Sequence, residues 1–131
     1  MNKKKVKIIP ENRFKKMYLD CMTNFHDWNI SRQIVWGPQI PVWYCLDCNP
    51  EILIHFLDKN GQKISGVYQT LKEKYSFEDI KHGLQSLTAG ENPLYSLNEK
   101  PCKNCLGKNI LQETDTFDTW FLSGQWPLTA L

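Results

Sequence analysis

Cys45-Leu46-Asp47-Cys48 and Cys102-Lys103-Asn104-Cys105 are two C-x-x-C pairs in a chain of 131 residues. A turn of this kind presents two thiolates on one side of a tight loop, and two such turns complete a tetrahedral shell round a zinc ion. Four thiolates leave no open coordination position, so the metal they suggest is structural, not catalytic. Gly107 favours a knuckle turn after the second pair, and Asn49 and Pro50 hold the corresponding place after the first. The pairs are separated by 53 residues, where an ordinary ribbon leaves about 15–20. The segment between them must then be an insertion carried on the metal site. A redox role for Cys45 and Cys48 would need a helix opening on the motif, and no helical pattern follows Cys48.

Two aromatic stretches flank the cysteines. Residues 27–45 hold Trp28, Trp36 and Trp43, three of the five tryptophans, together with Gly37, Pro38 and Pro41. Residues 115–127 hold Trp120, Trp126 and Pro127. Backbone this aromatic and this broken by proline and glycine is expected to shape a pocket, so the two stretches are read as two walls of one site. The candidate residues for substrate are Trp120, Asp118, Trp36 and Gly37.

The elements that must position these residues follow from periodicity. Residues 6–9 read as a short strand ended by Pro10. Phe14, Met17, Tyr18, Cys21, Met22 and Phe25 then mark one face of an amphipathic helix over 11–26, with Cys21 as a small buried residue. Val42, Trp43 and Tyr44 read as a strand leading into Cys45. Residues 51–57 form another, joined through the turn signal Asp58-Lys59-Asn60-Gly61 to a weaker strand near Ile64. Ser76 with Asp79 resembles a capping box, and Phe77, Ile80, Leu84 and Leu87 place a helix behind it. Residues 89–93 break that helix, and 109–112 return as a strand.

Composition sets outer bounds. The length allows one domain or part of a larger one, and a net charge of +2 is uninformative about fold. Its distribution is uneven: seven basic residues face only Glu11 in the first sixteen, and three acids with no base follow from Glu113. No apolar run approaches the ~20 residues that cross a bilayer. The basic N-terminus has no apolar segment of a signal peptide. A cytoplasmic, reducing setting is expected, which favours metal over disulfides.

With the order of features set, the chain resembles the valyl-tRNA synthetases, class I enzymes of the valine, isoleucine and leucine group. One block is Asp27-Trp28-Asn29-Ile30-Ser31-Arg32-Gln33, then Trp36-Gly37 and Ile40-Pro41-Val42-Trp43-Tyr44. It is similar to the segment where such enzymes re-enter the catalytic domain after the editing insertion. The other is Asp115-Thr116-Phe117-Asp118-Thr119-Trp120-Phe121 with Ser123-Gly124 and Trp126-Pro127. Asp118-Thr119-Trp120-Phe121 and Trp126-Pro127 favour valine over isoleucine or leucine. Residues 51–100 match poorly, and Pro38 stands where bacterial members commonly have histidine.

The resemblance implies an α/β fold: part of a class I, Rossmann-like nucleotide-binding catalytic domain with a zinc-ribbon insertion. Residues 1–44 and 106–131 would belong to the catalytic domain, and 45–105 to the insertion. It also implies ATP-dependent activation of valine and its transfer to tRNA(Val), with zinc held by Cys45, Cys48, Cys102 and Cys105, and no part for DNA or a membrane. Trp120 would pack against the aliphatic side chain, Asp118 would support the pocket, and Trp36 and Gly37 would help shape it. Arg32 is expected to hold loop geometry by hydrogen bonds. The His-Ile-Gly-His-type and Lys-Met-Ser-Lys-Ser-type motifs that handle ATP in class I enzymes do not occur in these 131 residues. The expectation is therefore an internal segment, inactive by itself. Two other readings remain: a free-standing zinc-ribbon module stacking aromatics on single-stranded RNA, and a remnant that binds a partner protein.

Overall fold

Pro10 opens the first helix of the computed structural model, which describes residues 7–130. Its carbonyl accepts the Phe14 N–H at 3.2 Å, and its own missing N–H costs nothing at a helix start. Helix α1 (Glu11–Thr23) stops three residues before the expected end, where the Thr23 hydroxyl donates back to the Leu19 carbonyl at 2.9 Å. None of its residues is buried. Cys21, expected on a buried face, is exposed. The periodicity is real, but the apolar face meets no covering element among the described residues. The strand expected at 6–9 includes Val6, outside the described residues, and Lys7 to Ile9 form no strand.

Three small sheets follow, built from β1 (Ser31–Arg32), β2 (Val42–Cys45), β3 (Leu53–Leu57), β4 (Lys63–Val67), β5 (Leu84–Leu87), β6 (Leu94–Tyr95), β7 (Ile110–Gln112) and β8 (Thr116–Phe117). Their orders are β1-β8, β6-β2-β7 and β4-β3-β5, and every described pair is antiparallel. The content is mixed helix and strand, as expected. The parallel ladder of a Rossmann-like sheet is not formed among the described residues: each central strand takes both neighbours antiparallel.

Strand β2 lies between two cores. Successive residues of a strand point to opposite faces. Accordingly Trp43 and Cys45 join Cys102 and Ile110 on one side. Tyr44 and the following Leu46 join Leu111, Ile52, Ile54, Phe56, Tyr68, Leu71 and Ile80 on the other. An unbroken Val-Trp-Tyr-Cys run is what a strand buried on both faces needs.

The second core is built mostly from residues between the two cysteine pairs. Its hairpin turns at 58–61, where Asp58 Oδ1 accepts from the N–H groups of Asn60 and Gln62, both at 2.8 Å, and Gly61 takes φ +77°. Helix α2 (Tyr68–Leu71) buries its two terminal residues. Helix α3 (Phe77–Gly83) is capped as expected, with Ser76 Oγ accepting from the Asp79 N–H at 3.2 Å. Replacing Ser76 with alanine should cost about 1 kcal/mol, read as a lower denaturant midpoint with unchanged slope.

Leu84 and Leu87, expected to continue this helix, belong instead to β5. The pairs Phe56↔Leu84, His55↔Ser86 and Ile54↔Leu87 leave Gln85 as an extra residue. Residues three apart in a regular strand face opposite ways. The bulge at Gln85 restores the parity, so both leucines pack on the same core. A three-residue apolar spacing therefore imitates a helix.

Candidate functional site

Both C-x-x-C pairs come together where β2 ends. The four Sγ atoms lie within 4.8 Å of one another. Two of the separations between the pairs are Cys45 to Cys105 at 3.5 Å and Cys48 to Cys102 at 3.7 Å. Four sulfurs each about 2.3 Å from a tetrahedral zinc stand about 3.8 Å apart, so the donor set fits such an ion. Cys45 and Cys102 are buried, while Cys48 and Cys105 are exposed.

Backbone shapes each turn. In the second, the Leu106 N–H donates to the Cys102 carbonyl at 2.9 Å and the Cys102 N–H to the Gly107 carbonyl at 3.0 Å. Asn104 and Gly107 N–H groups point at Cys102 and Cys105 Sγ, at 3.4 and 3.3 Å. In the first, buried Asn49 takes the place of a glycine turn. Its N–H and its amide group both donate to the Cys45 carbonyl, at 3.1 and 2.9 Å, and its Oδ1 accepts the Glu91 N–H at 2.7 Å. The two turns are tied by Asn109, whose amide donates to the Asp47 carboxylate at 3.0 Å.

The sulfurs differ in their hold on protons. Backbone hydrogen bonds at Cys105 and Asn104 draw Cys102 down to about 7. Burial pushes Cys45 up to about 11, and Cys48 is raised by its hydrogen bonds with Cys105 and Cys102. Four thiols this close support little negative charge unaided, and a divalent cation bound among them would remove the conflict.

The second site lies on β1 and β8. Ser31 pairs with Phe117 and Arg32 with Thr116, which joins the two aromatic stretches across 84 residues of chain. Buried Thr116 donates its hydroxyl to the Arg32 carbonyl at 3.2 Å. Gln33 donates to the Asp115 carboxylate at 2.7 Å. Gly37 has φ +149°, and a Cβ there would stand 3.3 Å from that of Thr116, so both the backbone and the close approach require glycine. Ile34, Val35, Trp36, Gly37, Thr114 and Thr116 line an open cleft of about 490 Å³.

A family model of class I tRNA synthetases (I, L, M and V) matches residues 1–131. The chain belongs to the class I tRNA synthetases. This synthetase chain is 34% identical over 126 residues to the valine–tRNA ligase of Clostridium tetani, covering 96% of the chain and 10% of that protein. It is 36% identical over 126 residues to that of Symbiobacterium thermophilum, covering 96% and 9%, and 31% identical over 126 residues to that of Thermus thermophilus, covering 96% and 10%. The synthetase chain thus spans about a tenth of the length of these relatives. No solved structure matches it. None of its described helices is long and apolar enough to cross a membrane.

Within the synthetase chain, Trp36 and Gly37 stand in the cleft, with Trp36 88% exposed. Asp118 and Trp120 do not line it. Asp118 is the N-cap of helix α4 (Thr119–Gly124), and Oδ1 accepts from the Trp120 and Phe121 N–H groups at 2.7 and 3.4 Å. Trp120 is not among the residues lining the cleft and is 81% exposed, because α4 buries none of its residues. Helix α5 (Trp126–Thr129) is likewise unburied. Sequence reasoning gave Thr116 no role of its own and placed Asn49 only as the residue at the first turn, not as its buried hydrogen-bonding centre. The only signal for either is position, Thr116 inside the second motif block and Asn49 directly after a cysteine pair.

Proposed function

We propose that this synthetase chain is part of a valine–tRNA ligase, an enzyme of the cytoplasm that activates valine with ATP and transfers it to tRNA(Val). The observation that carries this reading is the β1–β8 pairing, which makes one surface of the two motif blocks. Trp120 offers a flat apolar wall to the branched side chain, Asp118 fixes the helix that bears it, and Trp36 and Gly37 shape the approach. A rigid aromatic face measures branching, although one methylene changes discrimination by only about 1–3 kcal/mol. Binding of ATP phosphates and tRNA is assigned to parts of such an enzyme beyond these residues.

Residues 45–105 form the insertion in this reading. Cys45, Cys48, Cys102 and Cys105 hold a structural zinc that joins its two ends to the catalytic domain. The zinc supplies a cross-link and no step of the reaction.

Trp120→Ala, made in the full-length enzyme that carries this segment, should raise the KM for valine roughly tenfold or more while leaving that for ATP unchanged. Valine-dependent exchange of pyrophosphate into ATP measures both. An unchanged KM for valine would remove Trp120 from the pocket.

A further inference from the structure

We infer that Arg32 is a positioning residue for the amino-acid pocket, holding the start of helix α4, which bears Trp120, to the bend at 29–31; this rests on the pocket reading above. Helix α4 has no buried residue, so apolar packing does little to fix where it points. Apart from a stack of Phe117 on Phe121, with ring centroids 5.2 Å apart, its start is held by polar groups that converge on one guanidinium.

Arg32 Nη1 donates to the carbonyls of Asn29 and Ser31, both at 2.7 Å. Nη2 meets Asp118 Oδ2 at 2.6 Å. The carboxylate is thereby divided: Oδ2 faces Arg32, and Oδ1 caps α4 at Trp120 and Phe121. The Asp118 N–H donates to the Ile30 carbonyl at 2.7 Å, closing the loop back to the residue just before β1. The Asp118 side chain is only 13% exposed and that of Arg32 37%, so solvent screens this pair less than an open surface ion pair.

Only a planar fork serves both tasks. One nitrogen locks the bend at 29–31 while the other reaches the cap of α4, and an ammonium at the end of a flexible stem has no such fixed geometry. Arg32 therefore transmits the shape of one motif block to the helix that opens in the other. Its guanidinium also lies 6.0 Å from the Trp28 ring centroid, which covers it from one side.

The test uses Arg32→Lys, Arg32→Gln, Asp118→Asn and the double Arg32→Gln/Asp118→Asn in the full-length enzyme. Asparagine keeps an oxygen for the cap and loses the charge. Each single variant should raise the KM for valine about fivefold to tenfold with ATP KM and kcat within about twofold, and the double should be no worse than Arg32→Gln alone. Amide exchange at Trp120 and Phe121 should quicken in every Arg32 variant.

An unchanged valine KM in Arg32→Gln, an equal rise in both KM values, or effects that multiply in the double would overturn the inference. Trp120→Ala separates the two layers. If that variant raises the valine KM while Arg32→Gln does not, the inference alone fails. If Trp120→Ala leaves it unchanged, the pocket reading falls and the inference falls with it, even where amide exchange quickens.

Discussion

Changing Cys102 and Cys105 together to serine is expected to take the chain from about one bound zinc to none and to release the core around Trp43. The two residues supply half of the sulfur cluster, and the remaining pair cannot complete a tetrahedron. Binding of a structural zinc is worth on the order of 10 kcal/mol, comparable to or greater than the whole stability of a small domain. Cys45 and Cys102 are themselves core residues beside Trp43 and Ile110, so the metal and the packing fail together. Metal analysis reads the first effect. Near-ultraviolet circular dichroism reads the second, because Trp43 is 8% exposed and its indole N–H donates to the Ser96 carbonyl at 2.8 Å. Cys21→Ser, on an exposed helix face, should change neither. A metal-free chain that keeps the ordered Trp43 signal would refute the structural role of the ion.

Gly83→Ala is expected to be the most damaging single methyl group between the cysteine pairs. A Cβ at Gly83 would stand 2.0 Å from the Leu57 carbonyl oxygen, and both groups are tied to backbone. Either α3 or the end of β3 must move. Ile80, fully buried one turn earlier, would move with the helix. The expected loss is about 3 kcal/mol or more, in the range of severe overpacking. Gly61→Ala is the comparison. Its Cβ would meet nothing within 4 Å, and only φ +77° opposes it, which costs about 1 kcal/mol. Urea midpoints of the two variants should differ accordingly. Equal midpoints would mean that α3 shifts freely on β3.

What the sequence disclosed depends on the range of the signal. The paired cysteines, the Asp58–Gly61 turn, the Ser76 cap and the strand at Val42 are short patterns with a local physical cause, and each stands where it was expected. The larger core was harder to see. Leu84 and Leu87 belong to β5 because of a bulge against β3, a property of two strands that no spacing within one can report. Helix α2 and strand β6 are too short to show a period. The apolar face of α1 was legible, but its burial depends on a partner, and none covers the exposed Cys21 among the described residues. At the candidate pocket the motif blocks were visible as blocks. That Arg32 and Asp118 meet there could be learned only from the pairing of β1 with β8.

The double burial of β2 bears on cooperativity. Tyr44 and Leu46 belong to the larger core, Trp43 and Cys45 to the core at the cysteine cluster, and they alternate along one continuous backbone. Melting either core strips one face of that strand and loosens its pairing with β7, on which the other core also relies through Ile110 and Leu111. Residues 42–112 should therefore behave as a single foldon, opening to hydrogen exchange with one common free energy. The unburied helices α1, α4 and α5 share no such strand, and they should exchange earlier and independently of it.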